Sequence, residues 1–157
     1  AGKRTILAGE LYMKIAIGND HAGVELKQYI MQHFKEHNFI NVGTDVTQSC
    51  DYPDYIKLVA ELVQKGEVDY GIALCGTGIG ASIVANKYKG IRAALCTNEF
   101  MATMARRHND ANILVLGARV VGMDLAIHIT AAFLQGTFEG GRHQRRLDKI
   151  AQIEIME

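Results

Sequence analysis

Charge of neither sign is in excess: seventeen Lys and Arg balance seventeen Asp and Glu. That balance argues against a nucleic-acid partner, whose binder carries a basic excess or stripe. It still permits a local basic patch for a small anion. Proline occurs once, and hydrophobic residues at 48% outweigh charged ones at 22%, so no stretch has a disordered composition. The three cysteines, Cys50, Cys75 and Cys96, form neither a CxxC pair nor an even disulfide framework. A cytoplasmic, reducing location is therefore expected. Neither HExxH nor paired-cysteine spacing is present, so no metal centre is expected. No apolar run approaches the ~20 residues that cross a bilayer, so no membrane association is expected. Residues 1–12 lack the pattern of a signal peptide and are expected to be an extension or an expression remnant. Residues 13–157 are then one domain.

Apolar segments alternate with helical patterns. Residues 14–17 (KIAI), ending at Gly18, read as a strand; residues 24–37 place Leu26, Ile30, Met31 and Phe34 at helical spacing. A second strand is expected over 39–42, then a helix entered through Asp51, Tyr52 and Pro53 and running to Gly66. Residues 70–74 (YGIAL), 91–95 and 113–116 (ILVL) read as three more strands. Helices are expected through about 87, over 99–107 and over 121–134, and an amphipathic helix in the charged tail beyond Gly140. Five apolar strands, each followed by a helix, predict an α/β doubly wound, Rossmann-type sheet of mostly parallel strands in a single domain.

Such sheets bind ligands at the carboxyl ends of their strands. Asn19, Asp20 and His21 follow the first strand, Cys75 and a glycine-rich loop the third, and Gly117, Ala118 and Arg119 the fifth. His108, Asn109 and Asp110 end the helix after the fourth. The expectation is that thiol, histidines, carboxylates and arginine gather on one rim.

Gly76, Gly78 and Gly80 free the loop backbone to turn its N–H groups inward ahead of a helix, an arrangement that binds anions. The loose fingerprint over residues 76–81 also admits a dinucleotide-binding module. Against that reading, the loop follows the third strand, Cys75 stands at its mouth, and too little chain remains for a substrate domain. A thiol beside backbone amides and a helix start tends toward thiolate near pH 7. Cys50 and Cys96 lack that setting. His108, read alone, fits a helix end favoured by the dipole. A Cys75–His108 hydrolase is a third reading, without the nucleophile-elbow context. Arg142 and Arg146 are four apart on one helical face; an anion between them would turn repulsion into attraction, and guanidinium forks suit phosphate.

The matching stretches are residues 18–23 (GNDHAG), 51–53 (DYP), 75–80 (CGTGIG), 85–87 (ANK), 90–93 (GIRA), 107–112 (RHNDAN), 117–122 (GARVVG) and 139–143 (EGGRH). In order, over about 13–153, they resemble type B ribose-5-phosphate isomerases, in the family that also holds galactose-6-phosphate isomerase subunits. The resemblance implies an aldose–ketose isomerase that interconverts ribose 5-phosphate and ribulose 5-phosphate through an enediolate and needs no cofactor. It implies Cys75 as the base between C1 and C2, His108 in ring opening and Asp20 at a sugar hydroxyl, with Thr77 also in the catalytic set. Amides of Gly76, Gly78, Ile79 and Gly80 would stabilise the enediolate. His21, Arg119, Arg142 and Arg146 would hold phosphate; Tyr52 and Asn109 would bind sugar. A homodimer, or a dimer of dimers, with a shared active site is also implied.

One branch of the family carries glutamate where Ala81 stands and glycine in place of Cys75, so this chain resembles the cysteine branch. His108 favours ribose 5-phosphate over galactose 6-phosphate, while allose 6-phosphate stays open. Each chemical demand has a candidate: a base for a weakly acidic C–H, N–H donors for the oxyanion, an acid for the ring and a clamp on a non-reacting group.

Overall fold

The computed structural model describes residues 5–7 and 10–156, with side chains from Tyr12 onward. The remaining residues of the 1–12 segment lie outside that description. Two short strands, β1 (Thr5–Leu7) and β2 (Glu10–Tyr12), pair antiparallel with each other as a sheet of their own. Sequence patterning placed no strand there.

The main sheet takes β3 (Lys14–Asn19), β4 (Asn38–Asn41), β5 (Tyr70–Cys75), β6 (Ala93–Leu95) and β7 (Ile113–Gly117). Their spatial order is β4-β3-β5-β7-β6, and every neighbouring pair is parallel. The helices are α1 (Val24–His33), α2 (Tyr52–Gln64), α3 (Ile79–Ala85), α4 (Glu99–Asn109), α5 (Met123–Gln135) and α6 (Arg142–Ile155). This is the doubly wound arrangement that the alternating pattern predicts.

Strand alternation sorts the core into two layers. On one face Ile15, Ile17, Ile72, Leu74, Leu114 and Leu116 pack with Leu26, Ile30, Ala102, Ala105, Ile129 and Phe133 from α1, α4 and α5. On the other, Ala16, Ala73, Cys75, Ile113 and Val115 meet Ile56, Val59, Ala60, Ala81 and Ala85 from α2 and α3. Helices therefore cover both faces, which is why the strands read as nearly unbroken apolar runs.

Helix α1 carries a buried cation off this core. Lys27 is 1% exposed, and its Nζ donates to Asn41 Oδ1 (3.1 Å), Thr44 O (2.6 Å) and Asp45 Oδ1 (2.6 Å). All three ammonium protons are used, which is what allows the charge to be buried. Asn19 Nδ2 donates to the same Thr44 carbonyl at 3.0 Å. The turn after β4 is thus pinned from two sides.

Because all five strands are parallel, one rim of the sheet collects their carboxyl ends: Asn19, Asn41, Cys75, Leu95 and Gly117. Each covering helix runs back toward the opposite rim. For α4 that return is visible in hydrogen bonds. Arg92, just before β6, donates from Nε to the carbonyls of Asn109 (3.1 Å) and Asp110 (3.0 Å). Gly71, near the start of β5, donates its N–H to Asn112 O at 2.9 Å. No helix among the described residues is long and apolar enough to cross a membrane.

Candidate active site

Two groups of candidate side chains exist, one at each rim. At the carboxyl rim, Asp20 caps the short turn His21–Gly23, its Oδ1 accepting from Ala22 N at 3.0 Å. Its own amide donates to Leu74 O, tying it to the neighbouring strand. Buried Asn19 steadies this corner by donating to Asp20 O at 2.8 Å. His21 Nδ1 accepts the Cys50 amide at 3.2 Å, so a neutral ring carries its proton on Nε2, free to donate.

Cys75 is the last residue of β5 and is buried. The loop beyond it is held by β7: Ala118 N donates to Cys75 O (2.8 Å) and Arg119 N to Gly76 O (2.9 Å). The Arg119 guanidinium folds over the loop, its Nη1 3.3 Å from where a Cβ on Gly76 would sit. Gly78 has φ +81°, and a Cβ there would come within 3.1 Å of the Gly117 amide nitrogen. Only glycine takes that conformation in that space at little cost. Thr77 Oγ1 accepts from Ile79 N at 3.2 Å, so this hydroxyl caps the start of α3. The amides of Gly76, Thr77, Gly78 and Gly80 meet no acceptor among the described residues. Tyr52, first residue of α2, lays its ring against Gly80 and closes one side of the loop.

The second group sits where α4 ends. Arg106, Arg107 and His108 occupy its last turn, favoured there by the helix dipole. Arg107 Nε donates to Glu139 Oε2 at 2.7 Å, and Glu139 N donates back to Arg107 O at 3.0 Å. Gly140 and Gly141, with φ +69° and +58°, then turn the chain sharply into α6. That turn brings the buried His143 ring under His108, with centroids 4.1 Å apart and planes 10° from parallel. Each His Nε2 lies 3.7 Å from Glu139 Oε1. The Arg107 hydrogen bond holds the Glu139 carboxyl below its usual range, with burial opposing and the two histidines adding to the fall. Burial, then His108 and Arg142, push the His143 imidazole below its usual 6.5. Exposed Arg142 and Arg146 stand one turn apart on α6, and exposed Asn109 ends α4.

The structure brings Asp20, His21, Tyr52, Cys75, Thr77, Gly76, Gly78, Ile79, Gly80 and Arg119 together at one rim. His108, Asn109, Arg142 and Arg146 gather at the other, so the expectation of one rim for all does not hold within a single chain. Six-residue β5 spans the interval, about 16 Å at ~3.3 Å per residue. The reason is direction: a helix that follows a parallel strand carries its last turn back to the rim where strands begin. Sequence reasoning gave Glu139 and His143 no role, although their i, i+4 spacing beside Arg142 was a signal. These two and His108 form the single group of three potential metal donors among the described residues, and Arg107, Arg142 and Arg146 surround it with positive charge.

The sequence profile of a family described as Ribose/Galactose Isomerase matches residues 15–150. Ribose-5-phosphate isomerase B of Escherichia coli K12 is 49% identical over 143 residues, covering 90% of this chain and 96% of that one. A putative sugar phosphate isomerase of Bacillus subtilis 168 is 50% identical over 145 residues, covering 90% and 97%. Among solved structures, ribose-5-phosphate isomerase B of Clostridium thermocellum superposes with a TM-score of 0.90 at 54% identity, covering 92% of this chain and 99% of that one. The Mycoplasma genitalium ribose-5-phosphate isomerase B with bound ribulose-5-phosphate gives 0.88 at 43% identity, covering 93% and 98%. With the same fold throughout and a family match over most of its length, the chain belongs to the ribose/galactose isomerase family.

Proposed function

We propose that this protein interconverts ribose 5-phosphate and ribulose 5-phosphate, with each active site assembled from two copies of the chain. The observation that carries the reading is the thiol of Cys75 at the mouth of a loop with four unengaged amides. In the open-chain aldose, Cys75 thiolate takes the proton from C2, and the electron pair moves toward the carbonyl oxygen as an enediolate forms. The loop amides face that developing charge, and one such donor is typically worth about 2.7–4 kcal/mol. Returning the proton to C1 gives the ketose, so no electrons leave the substrate and no redox cofactor is needed.

The ring must open first. His108 donates a proton to the ring oxygen as the bond to C1 breaks, and Asp20 accepts at a sugar hydroxyl. His21, Arg119, Arg142 and Arg146 hold the phosphate, while Tyr52 and Asn109 meet the sugar. The His108 group belongs to the partner subunit, because α4 carries it to the far rim. A two-fold dimer completes two such sites at once. Exposed apolar side chains near the Cys75 rim support this: Ile79 (56%), Ile83 (58%), Phe100 (71%) and Val120 (56%) form a surface that a second chain would cover. A dimer of dimers uses the same shared unit. Three free cysteines suit a reducing cytoplasm.

The test is a panel of aldose phosphates assayed without added cofactor, on the native protein and on Cys75→Ala. Turnover is expected on ribose 5-phosphate and absent in the variant, which still binds phosphate-bearing analogues. Wild-type turnover by Cys75→Ala would remove cysteine as the base. A preference for allose 6-phosphate or galactose 6-phosphate would replace the pentose.

A further inference from the structure

Glu139 and His143 have no part in the mechanism above, yet they are tightly organised around the one side chain assigned to ring opening. Glu139 is fixed by two bonds to Arg107, through its side chain and its main chain. Its other carboxylate oxygen faces both imidazoles at 3.7 Å. At that range the contact is electrostatic rather than a hydrogen bond, so it orients a ring without consuming its N–H. His143 lies flat under His108 and is itself 6% exposed. The double-glycine turn at Gly140 and Gly141 places it there, and this turn would be strained with any other residues.

Burial, then His108 and Arg142, lower the basicity of His143 against the opposing pull of Glu139, which favours its neutral form. A neutral ring stacks beneath His108 without like-charge repulsion. A cation between the three side chains would stand beside Arg107, Arg142 and Arg146, so the arrangement suits an organic proton donor better than a metal.

We propose that Glu139 and His143 are positioning residues for the ring-opening step: the carboxylate aligns the His108 imidazole from one side, and the stacked ring supports it from below. The inference rests on His108 acting in ring opening. It gives a role to a whole sequence block, residues 139–143, in which only Arg142 had one.

Chemistry supplies a way to isolate the step. Ribulose 5-phosphate cannot close a five-membered ring, since its 5-hydroxyl carries the phosphate. Exchange of its C1 proton with heavy water therefore reports enediolate formation alone. Conversion of ribose 5-phosphate reports ring opening as well. In Glu139→Gln the charge goes but an oxygen remains for Arg107. Its kcat for ribose 5-phosphate is expected to fall about tenfold with KM unchanged, a modest share of a general-acid contribution. Its C1 exchange is expected to stay within twofold of wild type. His143→Gln should show the same split, and circular dichroism checks that both variants fold. Unchanged kcat in folded Glu139→Gln, or exchange falling in step with kcat, would overturn the proposal. Absence of both C1 exchange and ribose 5-phosphate turnover in the native protein would instead overturn the isomerase reading beneath it.

Discussion

The ring of Tyr52 fills the space that a Cβ on Gly80 would need, with Cζ, Cε1 and the hydroxyl all in the way. The obstructing atoms are the far end of a mobile side chain, so Gly80→Ala swings the ring aside rather than breaking the fold. Stability is expected to hold or rise, since replacing helical glycine by alanine gains about 0.5–1 kcal/mol. KM for ribose 5-phosphate is expected to rise about fivefold, the equivalent of one lost hydrogen bond of ~1 kcal/mol. Thermal melts and steady-state kinetics check the two halves. An unchanged KM removes Tyr52 from the substrate cradle.

The Lys27–Asp45 pair gives a stability term with a defined sign. Hydrogen bonds from Lys27, then Asn41, hold the Asp45 carboxyl below its ordinary 3.8. A carboxyl depressed on folding stabilises above its unfolded value, and that contribution disappears as pH falls through the lower folded value. Asp45 is 67% exposed, so the term is screened to under about 1 kcal/mol. Asp45→Asn is therefore expected to unfold at slightly lower urea than wild type at pH 7. The gap should shrink steadily below pH 3.8 and vanish in strong acid. Lys27→Met strands Asn41 and Thr44 acceptors instead and should cost about 1–3 kcal/mol.

The proposed division of the site between two chains makes complementation a direct measurement. Cys75→Ala and His108→Asn should each be inactive on ribose 5-phosphate as pure proteins. Unfolded together in equal amounts and refolded, half the dimers are hybrids, and each hybrid keeps one intact site. Recovery of about a quarter of wild-type activity is expected from random two-fold pairing. No recovery on mixing places both residues in one chain's site.

Burial pushes the Cys96 thiol up to about 11. In the native protein at pH 8 it is expected to escape iodoacetamide, and to label only after denaturation. Mass spectrometry of tryptic peptides reads this directly.

Much of this architecture was legible in the chain. Strands such as KIAI, YGIAL and ILVL are buried on both faces and announce themselves by unbroken apolar composition. The loop after Cys75 was legible because glycine at 78 answers a backbone demand. The shared rim was misread at His108 because residue type was weighed ahead of helix direction. Lys27 was invisible: a lysine on a helix reads as solvated, and its acceptors come from a turn that sequence does not bring near. The pairing of β1 with β2 was hidden for a different reason, as three-residue strands carry too little periodicity to register.

The return path of α4 has a consequence for how output depends on abundance. A folded single copy has every chemical group the reaction needs, yet the groups are separated by the width of the sheet. With the proposed two-copy site, dilution below the dissociation constant of the dimer would silence the protein without unfolding it. Near that threshold, halving the amount of chain would more than halve the flux it carries.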